Sequence, residues 1–169
     1  MKLRQYVITA LLISIGFVLH AIVPAIFGMK FDTVLAFMML AILLHPNKQN
    51  VLIAGLLAGI VTAMTSTFPG GQIANLVDKP VTAFSVYLMI LLFAGIRSHT
   101  VKHVLIGIIG TVISGSIFLL TARVIIGLPA PFPALFVSVV LPTALLTGPF
   151  LVAIAKAAQT AMRSLAPSR

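Results

Sequence analysis

Between Thr65 and Pro80 the chain reads Thr65-Ser66-Thr67-Phe68-Pro69-Gly70-Gly71-Gln72-Ile73-Ala74-Asn75-Leu76-Val77-Asp78-Lys79-Pro80. An acid, a base, two carboxamides and three hydroxyls are gathered there, between two long apolar runs. Asp78 is one of only two carboxylates in the 169 residues; the other is Asp32, two places from Lys30, and there is no glutamate. Such a set can hold a polar ligand rather than transform one. Asp78 or Asp32 would take an ammonium, Lys79 or Arg123 a carboxylate, and Gln72, Asn75 or a backbone carbonyl a ring N–H. The Gly70-Gly71 pair lets backbone approach a ligand closely. Further along, Arg123 ends an apolar stretch, and a guanidinium there can clamp a carboxylate through two parallel hydrogen bonds. Phe27, Phe31, Phe68, Phe132 and Phe136 flank the same polar segments and could sandwich a flat ring. A cation, an anion and an aromatic rim together suit a zwitterionic aromatic amino acid.

Each residue also has a plainer reading. Asp78-Lys79-Pro80 resembles a helix start, because Asp caps free N–H groups and Pro is tolerated in the first turn. Capping leaves Gln72, Asn75 and the glycine pair unexplained. Arg123 could snorkel to the interface, and the phenylalanines could simply pack. His20, inside an apolar run, reads as a hydrogen-bonded bundle histidine. His45, His99 and His103 sit at segment ends and read as surface residues, and Lys48 or Arg97 nearby could meet a partner or anionic lipid.

Catalysis fits this inventory poorly. The chain contains no phosphate-binding Gly-x-x-x-x-Gly-Lys-Ser/Thr loop, no His-Glu-x-x-His and no Gly-x-Ser-x-Gly elbow. Without cysteine there are no disulfides, thiolate nucleophiles or zinc-thiolate sites. Two aspartates far apart in sequence make a weak metal site. No cofactor is expected, and the protein reads as a non-enzyme.

The elements that must position these groups are membrane spans. Hydrophobic residues are 60% of the chain and charged residues 8%, against about 25% charged in soluble domains. The formal charge of +9 comes from basic residues at the ends of apolar segments, so topology explains it better than nucleic-acid binding. Met1-Lys2-Leu3-Arg4 before an apolar run mimics a signal peptide, but we read it as a retained first span. Crossing a hydrocarbon core of about 30 Å takes about 20 apolar residues, and six candidates emerge: 5–27, 31–44, 49–64, 80–96, 101–126 and 133–158. The second is short enough for a re-entrant segment. If all six cross, Lys2, Arg4, Lys48, Arg97, Lys102, Arg163 and Arg169 share one side, leaving Lys30, Lys79 and Arg123 on the other. The positive-inside bias then makes both termini cytoplasmic. The expected fold is an all-α integral membrane protein of the cell membrane, one six-transmembrane-helix domain over residues 1–169. Lys30, Asp32 and the stretch from Thr65 to Lys79 fall in its outer loops. Gly55 and Gly59, then Gly107, Gly110, Ser114 and Gly115, then Ala10 and Ser14, supply small-residue faces for close packing in lipid. Pro142 and Pro149 should kink the last span or free carbonyls.

Phe68-Pro69-Gly70-Gly71-Gln72-Ile73, with Asn75 and Asp78-Lys79-Pro80-Val81-Thr82-Ala83-Phe84, resembles the signature of the bacterial tryptophan transporter family. Supporting segments are Gly16-Phe17-Val18-Leu19-His20-Ala21 with Pro24, Gly28-Met29-Lys30-Phe31-Asp32, and His45-Pro46-Asn47-Lys48-Gln49-Asn50-Val51. The similarity runs from near the N-terminus to about Pro142. That family is similar to the S components of energy-coupling-factor (ECF) transporters, small six-helix membrane proteins. The resemblance implies capture of tryptophan from outside the cell and coupling to an energising module, a scaffold plus two ATPases. The first helix of S components commonly carries an Ala-x-x-x-Ala docking face; here Ala10 is followed by Ser14, a departure by one residue.

The sequence therefore points to a membrane transporter, or an S-component-like subunit, that binds and imports tryptophan. Its substrate-binding set would be Phe68, Gln72, Asn75, Asp78, Lys79, Arg123, Lys30 and Asp32. Two alternatives stand beside it: an S-component-like importer of another small aromatic or vitamin, and a non-transporting membrane subunit.

Overall fold

A computed structural model describes residues 3–26 and 29–164. Lys2, Phe27, Gly28 and Arg169, which entered the charge, aromatic or family arguments, lie outside the described residues. The first helix, α1, covers Leu3–Ile22, followed by a two-residue antiparallel pair, β1 (Ala25–Ile26) and β2 (Met29–Lys30). Then come α2 (Thr33–Leu44), α3 (Lys48–Thr65) and α4 (Gly71–Leu92) with a 3₁₀ turn at Phe93–Gly95. The chain ends with α5 (His99–Ile125) and a composite run of α6 (Phe132–Leu135), a π-helical turn (Phe136–Val140) and α7 (Leu141–Ser164). Polar side chains start α2, α3 and α5 by accepting from otherwise orphaned N–H groups. Asp32 accepts from Leu35 N at 2.8 Å and Asn47 from Asn50 N at 2.9 Å, and Ser98 does the same for α5.

Among the described residues, five helical runs are long and apolar enough to cross a membrane: α1, α3, α4 with its 3₁₀ turn, α5, and the composite 132–164. The exception, α2, has twelve residues, about 18 Å at 1.5 Å per residue. It is also the centre of the bundle. Every residue from Thr33 to Ile42 is buried, as expected of a helix that is apolar all round. Around it the outward faces of the long helices carry Leu11, Ile15 and Val18, Leu52, Leu56 and Ile60, and Leu145 and Leu146. So much exposed hydrocarbon suits acyl chains rather than water.

The small-residue faces on α3 and α5 pack within the bundle. A Cβ added to Gly55 would lie 2.9 Å from Pro80 Cα, and one on Gly59 would lie 3.3 Å from Asn75 O, so α3 rides directly on α4. Gly107 does the same for α5 and α7, where an added Cβ would stand 2.8 Å from Gly148 Cα. Ala10 and Ser14, by contrast, are exposed on α1. At the end opposite the polar island, Asn50 locks three helices. It accepts from Thr9 Oγ1 at 2.7 Å and donates to Ala41 O and His45 O at 3.2 and 3.1 Å. His45, expected at the surface, is thereby drawn partly into the bundle.

One boundary is corrected. The fourth helix begins at Gly71, not Pro80, so most of the island is helix rather than outer loop. Its N-cap is Gly70, at φ +69°, a left-handed conformation that glycine adopts without strain. Asp78 therefore does not cap the helix; it lies two turns inside it. Pro80 is accommodated mid-helix, where it removes one N–H and neighbouring packing absorbs the disturbance. Asp32 leaves the loop as well, becoming the N-cap of the central helix.

Candidate functional site

Moving the start of α4 carries its charges about 10 Å into the bundle, seven residues at 1.5 Å each. Asp78 is fully buried and Lys79 is 2% exposed. Ionisable groups at that depth are costly unless paired, and these are paired. Lys79 Nζ lies 2.8 Å from Asp32 Oδ2 and also contacts Asp78 Oδ2. Thr82 Oγ1 donates to Asp78 Oδ1 at 2.7 Å, and Ser114 Oγ donates to Asp78 Oδ2 at 2.8 Å while accepting from Lys79 at 3.4 Å. Three helices thus meet through one ammonium: α2 through its Asp32 cap, α4 through Asp78, and α5 through Ser114.

The ionic cluster forms part of the wall of an open cavity, about 610 Å³ of empty space with its mouth and adjoining solvent included. Polar and charged lining comes from His20, Lys30, Asp32, Asn75, Asp78 and Lys79, with Thr65 at the end of α3 and Ser66 and Thr67 from the loop that follows. The apolar lining is Leu35, Phe68, Phe118, Val139 and Val140, and Thr111, Ser114, Gly115 and Thr143 complete it. Phe68 and Phe118 meet edge to face at 5.3 Å between centroids. Asn75 is held by its own amide, which donates to Gly71 O at 2.8 Å and Thr62 O at 3.4 Å. Lys30 Nζ reaches His20 O at 3.5 Å, and His20 Nδ1 faces Phe31 O at 3.3 Å.

Six of the eight residues singled out from sequence come together here: Lys30, Asp32, Phe68, Asn75, Asp78 and Lys79. The other two do not. Gln72 is exposed on the far face of α4, and Arg123 is exposed in the last turn of α5, both outside the cavity lining. Of the flanking aromatics, Phe31 packs on Phe150 at 5.4 Å, and Phe132 stacks on Phe136 at 5.8 Å. Phe68 alone among those described lines the cavity. His20 is a buried bundle histidine, as expected, and a lining residue too. Sequence reasoning missed the α5 wall. Thr111, Ser114, Gly115 and Phe118 fall at i, i+3, i+4 and i+7 on one helical face, a signal of which only Ser114 and Gly115 were read, and those as packing.

The arrangement offers two cations and two carboxylates at the mouth and side of an apolar chamber. Asp78 is sealed, whereas the Asp32 side chain keeps 18% of its surface. Chemically, this arrangement can accommodate a molecule carrying both charges and an apolar body.

The sequence is similar to known proteins. A "Probable tryptophan transport protein" of Bacillus subtilis is 46% identical over 164 residues, covering 96% of this chain and 95% of that protein. Proteins of the same description from Clostridium acetobutylicum and Clostridium perfringens are each 40% identical, over 86% and 80% of both chains. No solved structure matches significantly. The family "Tryptophan transporter TrpP" matches residues 2–163, and the chain belongs to that family of multi-pass membrane transport proteins.

Proposed function

We propose that this protein captures tryptophan from outside the cell and imports it, and that the cavity beside Asp32 and Lys79 is the substrate site. The observation that carries the reading is charge balance: Lys30 and Lys79 against Asp32 and Asp78, around an apolar chamber. A zwitterion adds no net charge to such a site, whereas a simple anion or cation would unbalance it. Asp32, the more accessible carboxylate, receives the α-ammonium, and Lys30 receives the α-carboxylate. Phe68 and Phe118 flank the indole, and Asn75 borders it. Asp78 and Lys79 are positioning residues, holding the Asp32 carboxylate and tying α2 to α4 and α5.

The proposed topology is one domain of six crossings with both termini cytoplasmic and the cavity opening outward, with α2 and the strand pair together making the second crossing. Hydrogen bonds support this order. Thr33 Oγ1 donates to Gly16 O at 2.7 Å near the outer end of α1, while Asn47 Nδ2 reaches Gln5 Oε1 at the other end. With no phosphate-binding loop in the chain, energy comes from partner subunits of the ECF type or from an ion gradient. The exposed Ala10–Ser14 face of α1 is the docking candidate for the former.

Titrating the purified protein with tryptophan, thiamine, biotin and riboflavin tests the assignment. Saturable binding of tryptophan alone is expected; a vitamin binding in its place would overturn it.

A further inference from the structure

We propose that Thr111 reads the ligand ring: its hydroxyl accepts a hydrogen bond from the indole N–H. The inference rests on the tryptophan reading above and adds the residue that selects this ring. Thr111 lies on the cavity face of α5, one turn before Ser114, and is 4% exposed. The Ser114 hydroxyl is committed to Asp78. The Thr111 hydroxyl has no hydrogen-bond partner, a condition shared only with His45 Nδ1 among the buried side-chain atoms of the described residues.

That idleness is unusual here. Thr62, Thr65, Ser116 and Thr147 all donate to the carbonyl four residues back along their helices. A buried polar group without a partner is disfavoured, and sites that hydrogen-bond a ligand's N–H or O–H discriminate strongly against analogues lacking it. Leu35, Phe118, Val139 and Val140 supply the apolar surround a flat ring needs. Free from its own backbone, the hydroxyl can donate to a carbonyl on binding while its lone pair accepts from the ring.

The chain contains no tryptophan and two tyrosines, so with excitation beyond tyrosine absorption the fluorescence of bound tryptophan is read without protein background. The probes are tryptophan and, by competition, its analogue β-(3-benzothienyl)alanine, in which sulfur replaces the N–H with little change of shape. Wild-type protein should prefer tryptophan by about tenfold or more. Thr111→Val should weaken tryptophan by the same factor and leave the analogue unchanged, bringing the ratio near one. Thr111→Ser, which keeps the hydroxyl, should retain the preference. A wild-type protein that binds both equally, or a Thr111→Val protein with the wild-type ratio, overturns the role of Thr111 and leaves the tryptophan reading standing. Wild-type protein that binds no tryptophan overturns both. If the valine variant does not fold, Thr111→Ala gives the same readout.

Discussion

A single lysine joins three helices at the centre of this molecule, and its two acids differ in what they can do. Asp78 spends its oxygens on Thr82, Ser114 and Lys79 and has no exposed surface. Asp32 caps α2 with one oxygen and meets Lys79 with the other while remaining partly open. Two outcomes follow at this scale. Lys79→Met leaves the buried Asp78 carboxylate and the half-buried Asp32 carboxylate without their counter-charge and should destabilise the protein by about 3–5 kcal/mol, seen as a lower thermal midpoint in detergent. Asp32→Asn keeps an oxygen for the Leu35 N–H but removes the accessible charge, and should weaken tryptophan binding about tenfold or more, since hydrogen bonds to charged groups contribute roughly 1.5–3 kcal/mol. Unchanged affinity would remove Asp32 from the ammonium site. Much of this was legible in the sequence: with so few charges in an apolar chain, Lys30, Asp32, Asp78 and Lys79 had to be paired or functional. Arg123 obeyed the same logic and yet points away, because a residue in a last helical turn can reach the interface and need not turn inward.

At the scale of elements, the fourth helix is where sequence reasoning and structure part. Asp78-Lys79-Pro80 has the composition of a helix start, and Pro80 was the strongest local breaker in view. Tertiary packing overrides it: Gly55 sits against Pro80 Cα, and α4 runs through. Only the third dimension distinguishes a proline in the first turn from one that a facing glycine accommodates. The glycine contacts are correspondingly intolerant. Gly55→Leu should force α3 from α4 and cost about 1–3 kcal/mol or more, while Leu56→Ala on the exposed face of the same helix should be close to neutral. Comparing their thermal midpoints tests whether the α3–α4 approach is as tight as described. The missed α5 wall has a related cause. Small and hydroxylated residues at helical spacing serve both packing and ligand contact, and their sequence signature is the same.

At the scale of the whole molecule, the absence of cysteine makes the proposed topology directly testable. Ser98→Cys should react with an impermeant thiol reagent only from the cytoplasmic side, and Pro129→Cys only from outside. Labelling of both from one side would refute an odd number of crossings between them. The helical bundle and its apolar outer surface were legible from hydropathy, whereas the depth of the ionic cluster was not. Depth follows from α2. Its first residue is bonded to Gly16, six residues and therefore about 9 Å short of the end of α1. A central post shorter than its surrounding staves leaves a well above it, and Asp32 is the floor tile of that well. Its size is thus set by chain length before any side chain is chosen, so relatives could change what they hold by lengthening or trimming the post, leaving the charged floor untouched.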